Sequence, residues 1–249
     1  LLGDKTPLYS GSTAIPQNLE IDVSDSSQFL SALLLATPRM TGARNISKIG
    51  SAVSRRHSDL TWRLCQETGA IQQGHPWAVK CPSEVLIPAD ASMMAFAILA
   101  GLDVSNPPTK EESLGHEILF QNSNVYDLRD ANDLISPLAA HLCLTSGGEI
   151  TGAAHATLKE SNRLSRTMEL LQCFGLEVEQ NQDGFKIQGN QKLHQPENTV
   201  QTHGDHRLQM TAIILALKVG AEIEGAELHT VAWPSFVDQL SALGAKIQP

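Results

Sequence analysis

Aromatic side chains are scarce in this 249-residue chain. They make up 4% of it, so the core must be built from aliphatic residues. Positive charge is also in deficit. Lys and Arg number 18 against 27 Asp and Glu, a formal net charge of −9, which argues against a nucleic-acid surface. A locally positive pocket for a small anion remains compatible with that balance. No apolar run approaches the roughly 18 residues that a membrane-spanning helix needs, and no secretory signal pattern is present. Cysteines are few: Cys65, Cys81, Cys143 and Cys173, with no CxxC spacing. Free thiols in a reducing, cytoplasmic compartment are expected, rather than disulfides or a metal cluster. His203 and His206 lie close together, but no third ligand has metal-site spacing. What is present fits a packed globular chain: 41% hydrophobic and 18% charged, with length for one large or two medium domains.

The stretch Gly204-Asp205-His206-Arg207-Leu208 runs into an apolar segment, 209–218, that stops at Gly220. That segment is longer than the five or six residues typical of a strand. It reads as a buried helix with Asp205 as N-cap and Gly220 past its end. Such a start presents backbone N–H groups and the positive end of the helix dipole, which suits an anion, and Arg207 adds a guanidinium fork. An ordinary capped helix with a charged first turn is the plain alternative.

The pattern recurs. Asp25 leads into 29–36, Asp90 into 93–99 and Asp133 into 136–144, each Ala- and Leu-rich. Four buried, Asp-headed helices are therefore expected. Gly148-Glu149-Ile150-Thr151-Gly152-Ala153 parallels Ala221-Glu222-Ile223-Glu224-Gly225-Ala226, and Thr41-Gly42-Ala43-Arg44-Asn45-Ile46 is a looser relative. Each of the three is followed by an amphipathic segment ending at a glycine: 59–69, 162–175 and 236–244. Residues 177–179 and 185–187, joined by Asn181-Gln182-Asp183-Gly184, read as a hairpin. The spacing is too uneven for a solenoid. An α/β chain of repeated βαβαββ units with their buried helices together is expected. The copy beginning at Asp90 is short and interrupted by Pro107-Pro108 and Gly115. Ile87-Pro88 disfavours helix, and a boundary near 87 divides the chain into lobes 1–87 and 88–249.

Chemistry gathers in four places. Ser24-Asp25-Ser26-Ser27-Gln28 puts hydroxyls and an amide at a helix start, where phosphate binding and plain capping both fit. Ser54-Arg55-Arg56-His57 is a basic island in an acidic chain, or a solvated turn. In Thr157-Leu158-Lys159-Glu160-Ser161-Asn162-Arg163, Lys159 and Arg163 would share a face if the segment is helical. Thr157 and Glu160 also fit a capping box. Asp205-His206-Arg207 is the fourth.

Taken in order, Asp-Ser-Ser-Gln, Ser54, Asp133 before a helix, Lys159-Glu160-Ser161-Asn162-Arg163, Asp205-His206-Arg207 and Trp233-Pro234 resemble 5-enolpyruvylshikimate-3-phosphate synthase. The resemblance runs collinearly from about residue 6 to the end. It implies the enolpyruvyl transferase fold, two domains of βαβαββ units closing on substrate between them. It also implies transfer of the enolpyruvyl group of phosphoenolpyruvate to the 5-hydroxyl of shikimate 3-phosphate in the shikimate pathway of aromatic amino-acid biosynthesis, with no metal or organic cofactor. By position, Ser26, Ser27, Gln28 and Ser54 resemble shikimate 3-phosphate contacts. Asp133 matches the aspartate that engages the attacking hydroxyl. Lys159 matches a lysine near both substrates, Glu160 is the proton-transfer candidate, and Arg163 and Arg207 match phosphoenolpyruvate-binding arginines.

The departures are specific. Val231 stands where the family carries a lysine before the aromatic-Pro pair, His57 where tyrosine is usual and His155 where asparagine is usual. The family's N-terminal Lys-Ser and glycine-rich motifs are absent, and the chain begins at Leu1 rather than Met. The chain is therefore expected to be the C-terminal portion of such an enzyme, complete at its C-terminus and inactive without the missing N-terminal portion. Two other readings stay open: a related transferase acting on UDP-N-acetylglucosamine, and a non-catalytic paralogue that keeps the fold, for which Val231 speaks.

Overall fold

The computed structural model describes residues 15–85, 89–104, 107, 115–121 and 123–248. The chain divides between Val85 and Leu86 into two compact units. The boundary expected at residue 87 lies outside the described residues, as do Pro88 and Pro108.

In the first unit, β1 (Asn18–Asp22) pairs in parallel with β2 (Asn45–Ile49), Asn18 opposite Asn45 and Asp22 opposite Ile49. Helix α1 (Gln28–Ala36) connects them, and α2 (Arg55–Glu67) follows β2. The small core is Val23, Leu30, Leu34, Cys65 and Ala70, flanked by Trp62 and Trp77. Two expectations need correction here. Helix α1 starts at Ser27, not Asp25, and buries only Leu30 and Leu34; Phe29 and Leu35 are exposed. Among the described residues, α2 and β1 supply most of its packing, so one face is covered. Helix α2 begins at Ser54 rather than near Asp59. Its first turn absorbs the basic island, because long basic side chains are good helix formers and tolerate a solvated face.

The second unit opens with α3 (Ala91–Ala100), capped by Asp90, whose Oδ1 accepts from Ser92 N at 2.8 Å, and closed by Gly101 at φ 73°. A short helix, α4 (His116–Phe120), follows. Then comes one complete βαβαββ unit. It comprises β3 (Val125–Asp127), α5 (Ile135–Leu144), β4 (Gly148–Thr151), α6 (Arg163–Cys173), β5 (Val178–Gln180) and β6 (Phe185–Ile187). The sheet order is β3-β4-β6-β5; β3 and β4 run parallel and the other pairs antiparallel. Parallel β3 and β4 require a crossover, which α5 supplies, whereas β5 and β6 need only the Asn181–Gly184 turn. Gly184 is required there because a Cβ would collide with the Ile150 carbonyl of β4. Helix α7 (His206–Val219) then runs through the core and stops at Gly220, as the sequence predicts, and α8 (Phe236–Ala242) completes the unit.

Helices α3, α5 and α7 carry Phe96, Ile135, Leu142, Leu208, Met210 and Ile214 into one aliphatic core under the sheet. These three are buried on most sides, as their uniform apolar sequences require. The strand expected at 221–226 is reduced to a single parallel bridge between Val200 and Ile223. Glu222 and Glu224 on either side face out, so too little apolar surface is available to extend it. Asp133 does not head α5. A 3-10 turn (Asn132–Leu134) precedes that helix, and the carboxylate turns instead to two arginines.

Candidate functional site

The starts of α3, α6 and α7 and the turn ahead of α5 come together in the second unit, and residues at or just before them build a charged cluster. Arg163, the first residue of α6, is its hub at 1% side-chain exposure. Its Nε donates to Asp205 Oδ2 at 2.8 Å, one terminal nitrogen to Asp133 Oδ1 at 2.6 Å and the other to Glu160 Oε2 at 2.5 Å. A buried guanidinium is tolerable only when its charge and N–H groups are matched, and three carboxylates do that. Burial alone would lower the Arg163 pKa; the Asp205, Asp133 and Glu160 charges raise it instead.

Asp205 is fully buried. Its Oδ2 accepts from Arg163 Nε and from Ser161 Oγ at 3.0 Å, and its Oδ1 from Arg207 N at 2.9 Å. One carboxylate thus caps α7 and anchors Arg163. Burial pushes its pKa up, but the Arg163 charge and these hydrogen bonds hold it below the usual carboxylate range. Asp133 behaves alike: burial raises it, and the charges of Arg207, Arg163 and Lys159 outweigh that and hold it at about 2.

Arg207 is buried but loosely held. One terminal nitrogen donates to the Asp133 carbonyl at 3.3 Å; the other donates to Ser92 Oγ at 3.3 Å and lies 3.5 Å from Asp133 Oδ2. Its buried Nε has no partner among the described residues. Burial and the like charge of Arg163 push its pKa down, against Asp133 and the other acids. Lys159 is half-buried, with no hydrogen bond or ion pair among the described residues, although its charge acts on Asp133 and His155. Three cations and three carboxylates therefore balance, yet the acids are drawn mainly onto Arg163. Arg207 Nε is left without an acceptor and Lys159 without an ion pair among the described residues.

Two local expectations fail. Lys159 is extended and lies outside α6, so it does not share a helix face with Arg163. No capping box forms: Thr157 Oγ1 bonds the Ala154 carbonyl at 2.8 Å, Glu160 pairs with Arg163, and Asn162 caps α6. The stronger charge partner takes Glu160 from the backbone. His206 and His155 are buried, and burial pushes both imidazoles below their ordinary pKa. Val231 sits in a 3-10 turn (Leu228–Val231), 77% exposed. Among the described residues, no group of three or more His, Cys, Asp or Glu could hold a metal ion, and no helix is long and apolar enough to cross a membrane. All four cysteines are free thiols.

The first unit holds the remaining residues of interest. Ser27 is buried with no partner for Oγ among the described residues, and it lines a pocket of about 130 Å³ with Lys48, Arg55, Ser58 and Asp59. Ser26 Oγ accepts from Gln28 N at 3.2 Å, and Ser54, buried at φ 49°, stands at the N-cap position of α2 without a side-chain capping bond. Lys48 and Ser92 belong to none of the four sequence clusters, whereas Ser161 lies within the Lys159–Arg163 motif. Asp90-Ala91-Ser92 matches Asp205-His206-Arg207 in helix-start position, and that parallel could have pointed to Ser92.

Comparison with solved structures places this architecture. An EPSP synthase of Acinetobacter baumannii superposes with a TM-score of 0.71 at 19% identity, over 93% of this chain and 64% of that one. The repeats, their sheet order and the helix starts therefore define an α/β chain of the enolpyruvyl transferase fold. A model of the EPSP synthase (3-phosphoshikimate 1-carboxyvinyltransferase) family matches residues 90–240, more than half of the chain, and the chain belongs to that family. A 3-phosphoshikimate 1-carboxyvinyltransferase of Nitrosopumilus maritimus is 28% identical, over 97% of this chain and 65% of the relative. One of Korarchaeum cryptofilum is 30% identical, over 92% and 62%. The chain thus spans less than two thirds of the length of these curated relatives.

Proposed function

We propose that this chain is part of an enzyme that transfers the enolpyruvyl group of phosphoenolpyruvate to the 5-hydroxyl of shikimate 3-phosphate, with loss of phosphate, in the cytoplasmic shikimate pathway. The observation that carries this is the pair of cations left without strong partners, Arg207 Nε and Lys159, beside a carboxylate held ionised. Both substrates are polyanions and need cations to offset their repulsion. On this reading Arg207 and Lys159 meet phosphoenolpyruvate first, and Arg163 joins only by giving up Asp133 or Glu160. Asp133 orients the attacking hydroxyl and accepts its hydrogen bond. Glu160, half-exposed, exchanges the proton at the methylene carbon. Ser26, Ser27, Gln28 and Ser54 serve the 3-phosphate. The remaining portion of the relatives' length supplies what this chain lacks, so the chain alone turns nothing over.

The test is phosphate release. Expressed with the residues that the relatives carry ahead of it, the parent protein should release phosphate only when both substrates are present. The 249-residue chain should not. Release by the chain alone, or none by the parent, would refute the reading. Val231 favours one alternative, a non-catalytic paralogue. If neither protein turns over and both bind shikimate 3-phosphate, that alternative holds.

A further inference from the structure

The cap of α3 does not need the Ser92 hydroxyl. Asp90 Oδ1 already takes the Ser92 amide at 2.8 Å, which is the whole of an N-cap bond. The hydroxyl nonetheless donates to the other carboxylate oxygen, Asp90 Oδ2, at 2.9 Å. With its proton committed there, the lone pairs of Ser92 Oγ are what remains for Arg207, whose terminal nitrogen reaches it at 3.3 Å from 115 residues away in sequence. The other terminal nitrogen of Arg207 rests on the Asp133 carbonyl, at 3.3 Å. These two acceptors, with Asp133 Oδ2 lying 3.5 Å from the nitrogen that reaches Ser92, hold the terminal edge of the guanidinium, while Nε, equally buried, has no partner among the described residues. A planar guanidinium pinned at one edge has its other edge fixed in direction.

We infer that Ser92 is a positioning residue for Arg207: its hydroxyl, polarised by Asp90, holds the guanidinium so that Nε stays turned to an anionic ligand. This rests on the reading of Arg207 as an anion-binding residue. Asp90 is exposed and Ser92 buried, so the serine links a solvated carboxylate to a buried cation. Removing the hydroxyl leaves the α3 cap intact, so Ser92→Ala should fold.

The experiment follows the Arg207 guanidinium N–H signals by NMR, assigned with Arg207→Lys, and titrates phosphoenolpyruvate into the whole chain and its Ser92→Ala variant. The expected result is that Ser92→Ala loses the hindered-rotation signature of Arg207 and weakens phosphoenolpyruvate binding by about threefold to tenfold, the range of one ordinary net hydrogen bond. A purely structural serine would shift the melting temperature but leave the Arg207 signals in place. Unchanged Arg207 signals overturn the inference, whatever the affinity. Altered signals with unchanged affinity overturn it too. If the unsubstituted chain binds no phosphoenolpyruvate, the functional reading falls, and the Arg207 signals alone still decide whether Ser92 holds the side chain.

Discussion

Replacing Asp205 by Asn is the sharpest structural perturbation available. Asparagine keeps the shape and can keep the Oδ1 acceptor for Arg207 N, so the α7 cap survives. At the other oxygen the change puts an amide donor or a neutral carbonyl against Arg163 Nε and Ser161 Oγ. Breaking a buried ion pair typically costs about 3–5 kcal/mol. Asp133 and Glu160 continue to neutralise Arg163, so the lower end, about 3 kcal/mol, is expected. Alanine at the same position also removes the cap, for about 1 kcal/mol more. Urea unfolding, followed by far-UV circular dichroism and by Trp233 emission, reads both. Trp233 packs on the core of the second unit, whereas Trp62 and Trp77 report on the first. With a slope of about 1–3 kcal/mol/M, the second unit's midpoint should fall by about 1–3 M for Asp205→Asn. By heat, the same loss is about 6–12 °C. The first unit should be unaffected. A midpoint unchanged by Asp205→Asn would refute the claim that this carboxylate anchors Arg163. Equal losses for Asn and Ala would refute the claim that it also caps α7.

Three further outcomes are expected. Because burial is outweighed by Arg207, Arg163 and Lys159, the Asp133 pKa is about 2 in the folded chain against an ordinary 3.8. The stabilisation it gives is present above pH 3.8 and is lost as the pH falls toward 2, about 2 kcal/mol in all, so Asp133→Asn should flatten the acid limb of a stability–pH profile. Gly184→Ala should destabilise the second unit by about 1–3 kcal/mol in urea, because its Cβ meets the Ile150 carbonyl and β6 must shift. Val231→Lys should strengthen phosphoenolpyruvate binding by about tenfold if the new ammonium makes a charge-assisted bond, and isothermal titration decides it.

Much of the second unit was legible because its local signals agree. Asp205, the apolar run after it and Gly220 specify α7 at both ends, and the Asn-Gln-Asp-Gly turn specifies the β5–β6 hairpin. Legibility failed where a distant charge decided the outcome. Asp133 reads as a helix cap, but two arginines from elsewhere in the sequence outcompete a backbone N–H for it. Glu160 reads as half of a capping box, but Arg163, three residues on, offers a charge that a backbone N–H does not. Helix α1 reads as buried all round, yet burial depends on neighbours that its own sequence does not encode. Arg163 and Arg207 both read as ligand arginines. Only the three-dimensional arrangement shows Arg163 surrounded by carboxylates and Arg207 Nε without a partner among the described residues. The contact between Ser92 and Arg207 is not legible locally, because it spans 115 residues; only the parallel of their two helix starts hints at it.

The central claim is that the second unit offers Arg207 and Lys159 to an anionic substrate while Arg163 organises the acids. Isothermal titration of phosphoenolpyruvate into the chain, Arg207→Ala and Lys159→Ala tests it most directly. One saturable site is expected, weakened by about tenfold or more by either substitution, as loss of a charge-assisted contact requires. No saturable binding to the unsubstituted chain, or affinities unmoved by both substitutions, would contradict it.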